Sequence, residues 1–139
     1  MATSDVTNPN RRKLSAIQRC AWVFAGLFLF VYSLDYVPGV MDANGKMFGL
    51  FSMTRIVDIG HLALGALAVA AALSSPKWAR IYFYFLGIVY AIDVIHFVFT
   101  HLEIMSPMTN LLVNLPHAVT SIAAFLIAAT VSRAEKTSR

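Results

Sequence analysis

Four histidines and a handful of aspartates are the residues of this chain that could do chemistry, and most of them lie inside apolar sequence. Val89-Tyr90-Ala91-Ile92-Asp93-Val94-Ile95-His96 carries a carboxylate and an imidazole three residues apart. On a helix that spacing brings both groups to one face. Two further motifs, Asp58-x-x-His61 and Asn114-x-x-His117, repeat the same spacing. Imidazole is the commonest metal ligand, and a carboxylate on its other nitrogen is its usual support. His61, His117, His96 and Asp93 are therefore the candidate ligands of a metal ion or haem. Asp58, Asn114, Asp35, Tyr32, Tyr90 and Arg55 are candidates to orient those ligands or relay protons.

Three chemistries compete for this set. Two facing histidines could hold a haem axially, or, with Asp93 or His96, a divalent ion. For haem, Gly60, Gly65 and Gly87 would leave room for a flat ring; against it, three aspartates suit a hard ion or a proton relay better. A proton path is the usual use of Asp/His chains in membranes. Here residues 66–72, 83–89 and 122–129 are essentially apolar, which argues against a continuous one. The plain alternative is an interhelical hydrogen-bond clamp, each link contributing about 0.6 kcal/mol. An intramembrane hydrolase is the weakest reading, since Ser33 and Ser121 are present but no nucleophile–base spacing stands out; an enzyme is a distant third expectation. His101 reads as a solvated loop residue.

The elements that must position these groups are membrane helices. Of 139 residues 58% are hydrophobic and 13% charged, against about 45–50% and about 25% in soluble domains. The expected fold is all-α, a four-transmembrane-helix bundle in one domain. Spans are expected at about 17–37, 53–73, 78–100 and 108–131, inside a membrane domain of 17–131. Residues 1–16 form a disordered basic tail and 132–139 a second polar tail. Pro38-Gly39 stops the first span, Asn44-Gly45 marks a turn, Ser52 or Thr54 caps the second span, and Pro116 should bend the fourth near His117. The basic N-terminus followed by an apolar run resembles a signal peptide, but no small-x-small cleavage site follows it, so a retained anchor helix is expected.

The net charge of +4 does not indicate nucleic acid, because the basic residues flank apolar segments. Arg11, Arg12, Lys13, Arg19, Lys77, Arg80, Arg133, Lys136 and Arg139 fall on one side and only Lys46 and Arg55 on the other. Both termini are therefore expected in the cytoplasm of a bacterial inner membrane. The polar layer then lies toward the outer face. Its partner is the bilayer, with a homo-oligomer or a larger membrane complex as the setting if the layer is only a clamp. The lone Cys20 can form no internal disulfide.

The chain also reads as a repeated helical hairpin. Asp35 and Asp93 are related by a shift of 58 that also pairs Val31 with Val89 and Tyr32 with Tyr90; His61 and His117 are related by a shift of 56 that pairs Val57 with Val113 and Asp58 with Asn114. Such units repeat about an axis along the membrane normal, which would let His61 face His117.

The segments Asp58-Ile59-Gly60-His61-Leu62-Ala63-Leu64-Gly65 and Asn114-Leu115-Pro116-His117, with Pro38-Gly39 after the first helix, resemble a family of small bacterial four-helix integral membrane proteins that carry Asn-x-x-His-x-x-x-Gly in their second and fourth helices. The chain departs from that signature at Asp58 and at Ser121. No activity is established for that family, so the resemblance implies a fold and a location.

Overall fold

The computed structural model describes residues 13–100 and 106–131. The tails expected at both ends lie largely outside them, as do His101 and Glu103. The described chain is helical. Helix α1 spans Ala16–Leu34, α2 Arg55–Leu73, α3 Pro76–Thr100, α4 Pro107–Val113 and α5 Leu115–Leu126, with a π-helical extension Ile127–Val131. Two-residue strands β1 (Lys46–Met47) and β2 (Phe51–Ser52) pair antiparallel in the loop between α1 and α2.

Local sequence sets each boundary. Ser15 and Gln18 close a capping box on α1: Gln18 N–H donates to Ser15 Oγ (3.3 Å) and Ser15 N–H to Gln18 Oε1 (3.1 Å). α1 stops at Leu34, three residues before the expected Val37, with Asp35 as its cap and a run of turns through Pro38 and Gly39 (φ +84°). Thr54 caps α2. Ser75 Oγ accepts from Trp78 N–H (3.4 Å), and Pro76 opens α3, where a missing N–H costs nothing.

The fourth hydrophobic segment is not one straight helix. It breaks at Asn114, and α4 lies at 70° to the helix that follows. Pro116 is the cause. It has no N–H for the carbonyl of Leu112, and its ring would collide with that carbonyl. The bend falls three residues before His117, so His117 sits in the first turn of α5.

Three helices are long and apolar enough to cross a membrane, and the bent pair makes a fourth when its two parts are taken as one span. At 1.5 Å per residue the 19 residues of α1 and of α2 reach about 28 Å, close to the ~30 Å hydrocarbon layer. The outer faces of α1, α2, α3 and α5 carry Trp22, Phe30, Ile59, Leu67, Ile88 and Phe125, all exposed. Water would not tolerate that surface; lipid does.

Burial recurs every three to four residues on each helix: Ile17, Ala21, Ala25, Phe28; Asp58, His61, Gly65, Ala68, Ala72; Ala79, Phe83, Leu86, Tyr90; Ser121, Ala124, Ala128. Most of these are small, as close packing in a bilayer demands. α1 packs mainly along α2, and α3 along α5. Buried polar links join the helices as well: Gln18 Nε2 donates to the Ala72 carbonyl (2.9 Å), Tyr82 Oη to Leu64 (3.3 Å) and Ser121 Oγ to Gly87 (2.8 Å).

Two glycines are required by this packing. A Cβ on Gly65 would lie 2.9 Å from the Leu29 side chain, and one on Gly87 3.0 Å from the Phe125 ring. Gly87→Ala and Gly65→Ala should each lower thermal stability in detergent, by about 1–3 kcal/mol if the neighbour cannot turn aside. Gly60, whose Cβ would meet nothing within 4 Å, should accept alanine with no loss of melting temperature. Equal melting temperatures for all three variants would refute this packing.

Candidate functional site

Connectivity gathers the polar residues at one end of the bundle. The C-terminal ends of α1 and α3 and the N-terminal ends of α2 and α5 all lie opposite the tight α2–α3 turn at Ser74-Ser75. Within that end, His61 and His117 come together, with ring centroids 6.4 Å apart and planes inclined at 48°.

Each imidazole is held through the same nitrogen. His61 Nδ1 lies 2.9 Å from the Val57 carbonyl, one turn earlier on α2. A carbonyl can only accept, so Nδ1 carries the proton. His117 Nδ1 lies 2.7 Å from Asp93 Oδ2, and a carboxylate likewise fixes the proton on Nδ1. In both rings Nε2 is left as the lone-pair nitrogen, and among the described residues no hydrogen bond engages either one.

Asp93 is itself held in place. Its Oδ2 also accepts from Asn114 Nδ2 at 3.1 Å, so the break residue of the fourth segment ties to α3 beside the imidazole–carboxylate hydrogen bond. Tyr90, one turn before Asp93, sets its ring edge-on to His117 at 4.6 Å. Phe28 fills the other flank, 6.0 Å from His61 and stacked 6.0 Å from Tyr90. His61 is 9% exposed. The His117 and Asp93 side chains are 31% and 49% exposed, so the layer opens sideways where α4 bends away.

The other candidates are placed elsewhere. His96 faces outward on α3, and among the described residues its imidazole meets no partner, so it does not join the pair. Asp93 sits behind His117, in the position of a support for that ring. Asp58 is buried, but it does not touch His61 through a hydrogen bond; its Oδ1 lacks a protein donor, and its carboxyl lies beside that of Asp35. Tyr32 Oη pairs with Tyr36 Oη at 2.9 Å. Arg55 is exposed and forms no ion pair among the described residues. Asp35, Asp58, Tyr32 and Tyr36 thus form a group of their own rather than a support for His61.

The ring space expected for haem is also taken. Leu29 occupies the gap at Gly65 and Phe125 the gap at Gly87. Of these three glycines, Gly60 alone has open space.

Two residues of the layer were not singled out by spacing alone. Asn110 is completely buried, donates to the Val98 carbonyl (3.4 Å) and leaves Oδ1 without a donor. Phe28 separates the two hairpins at the level of the histidines. A signal for the first existed: Asn110, Asn114, His117 and Ser121 follow at intervals of four, three and four, one face of a helix. No family model, no curated protein and no solved structure matches the chain.

Proposed function

We propose that the chain is a four-span inner-membrane protein that binds a transition-metal ion between His61 and His117. One observation carries this reading. Both imidazoles give Nδ1 to a fixed acceptor and keep Nε2 free of hydrogen bonds, with ring centroids 6.4 Å apart, and among the described residues no third His, Cys, Asp or Glu joins the pair. Metal-binding histidines are held in this way, with the remote nitrogen tied to a carbonyl or carboxylate. Asp93, tied to Asn114, would raise the basicity of His117. The open side of the layer would supply the remaining coordination positions. An ion suits the site better than haem, because the ring space at Gly65 and Gly87 is filled. The resemblance to small four-helix membrane proteins, carried by the two Asp/Asn-x-x-His motifs, agrees with this location.

Purification in mild detergent, followed by elemental analysis and an absorption spectrum, tests the reading. About one transition-metal ion per chain and no Soret band are expected. A metal-free protein that also takes up neither Zn(II) nor Cu(I) would refute it.

A second reading is favoured by the hydrogen bonds that tie the helices together. Gln18–Ala72, Ser121–Gly87 and Asp93–Asn114 each join two elements. On that reading the layer is a clamp in a structural or accessory subunit, and the repeated hairpin serves assembly. The exposed Asp93–His117 pair then lies against another subunit.

Both readings share a topology with the two termini in the cytoplasm. A reporter fused after Arg139 should report as cytoplasmic and one inserted at Asn44 as external. The opposite pattern would reverse the face to which the histidine layer opens.

A further inference from the structure

The methionines are confined to one part of this chain. Apart from Met1, they are Met41, Met47, Met53, Met105 and Met108. None lies within α1, α2, α3 or α5, where an apolar thioether would be ordinary filler. Among the described residues, Met41, Met47 and Met53 belong instead to the α1–α2 loop and Met108 to α4, at the histidine end of the bundle.

Register gathers three of them further. Met41 pairs with Met47 in an antiparallel bridge, and Met47 pairs with Phe51. Directly opposed residues share a face of a ladder, and so do residues two apart on one strand. Met41, Met47, Phe51 and Met53 therefore share one face, and Met53 N–H donates to the Gly45 carbonyl (3.2 Å), which continues the register. That face is turned toward the protein. Met47 is 5% exposed and Met41, Phe51 and Met53 are half-buried, whereas Asp42, Lys46, Phe48 and Leu50 are exposed. Met41 and Met47 are directly opposed, with Cβ atoms about 4.5–5.5 Å apart, and Met53 stands diagonal to Met47 at about 7–8 Å, within reach of one ion for side chains as long as methionine. The loop is built to hold this shape. Asp42 Oδ1 accepts from Asn44 N–H (2.8 Å) and Lys46 N–H (2.9 Å), and Phe48 adopts φ +53°, a costly conformation for a bulky residue.

We propose that Met41, Met47 and Met53 form a binding site for Cu(I) at the mouth of the histidine layer. Neutral thioethers are soft donors that select Cu(I) over Zn(II) and other harder divalent ions. Imidazole accepts Cu(I) as well, so the histidine pair would be the next station for the same ion. That second step rests on the function proposed above; the methionine site does not.

Anaerobic titration of the detergent-solubilised protein with Cu(I), against a chromogenic Cu(I) chelator, tests this, with Zn(II) as a parallel probe. The wild type should take up one Cu(I) more than Zn(II), and its copper X-ray absorption should show sulfur neighbours. Met41→Leu/Met47→Leu/Met53→Leu keeps volume and apolarity. It should lose one Cu(I) and the sulfur signal while its Zn(II) uptake stays unchanged. Met41→Leu alone, with its side chain only half-buried, should weaken that Cu(I) at least tenfold even if the triple variant folds poorly. Cu(I) uptake and sulfur signal equal to wild type in either variant would overturn the methionine site. Zn(II) uptake without any extra Cu(I) would overturn it and leave the histidine reading standing. Sulfur-bound Cu(I) in a protein whose His61→Ala and His117→Ala variants bind like the wild type would support it and remove the histidine reading instead.

Discussion

Replacing either His61 or His117 by alanine should empty the proposed metal site, and replacing both should do little more. Each ring supplies one Nε2 from a different helix, with centroids 6.4 Å apart, so neither alone closes a coordination sphere. Loss of one nitrogen ligand should lower affinity by two orders of magnitude or more, because the second-sphere change alone costs about 10–100-fold. Residues that act as one unit give strongly non-additive double variants. Elemental analysis of the three purified variants would read this directly. The clamp gives a different pattern. His61 then contributes through its bond to Val57 and its packing on Phe28, and His117 through Asp93. Stability would fall by on the order of 1 kcal/mol for each, the two losses would add, and metal content would not change. Unchanged metal in both single variants would exclude His61 and His117 as ligands whatever the melting temperatures showed.

How far the sequence reveals this arrangement differs between the scaffold and the site. The helices follow from hydrophobic length and from caps that local chemistry dictates, and Ser15, Thr54, Ser75 and Ser106 all stand where their helices begin. The break in the fourth segment follows from Pro116. Its 70° angle does not, since a proline removes a hydrogen bond without saying how far the helix then swings.

Spacing also predicts which polar residues share a face, but not which partner each will meet. Asp58 lies three residues before His61 just as Asn114 lies before His117, yet neither pair is joined side chain to side chain. His61 turns back to its own helix at Val57, and His117 reaches across to Asp93. His96 has the same spacing from Asp93 as His61 has from Asp58, but α3 presents it outward. Three residues advance a helix by about 300°, so such a pair straddles a stripe whose edge only packing defines. The two hairpins therefore differ at their aspartates. Asp93 holds an imidazole, and Asp35 lies beside another carboxyl. A shift of the sequence against itself could relate the positions but not foresee that difference in bonding.

That difference makes the aspartates the sharpest test of the site. Asp93→Asn should weaken metal binding about tenfold, and Asp93→Leu toward a hundredfold, as expected for the acceptor behind a ligating ring. The reason lies in the bonds to Oδ2, which accepts from His117 at 2.7 Å and from Asn114 at 3.1 Å. An asparagine oxygen can still accept both, which keeps His117 in the right tautomer but removes the negative charge that strengthens it as a donor to metal. Leucine removes the acceptor altogether and leaves the ring free to turn. Asp58→Asn should leave metal affinity unchanged, because His61 takes its acceptor from Val57 and not from Asp58. Asparagine removes one of two adjacent carboxyls and its amide N–H can donate to Asp35, so the melting temperature should hold or rise. If instead Asp58→Asn empties the site while Asp93→Leu leaves it full, the metal lies on the α1–α2 side of the layer, and the assignment of His117 as a ligand falls with it.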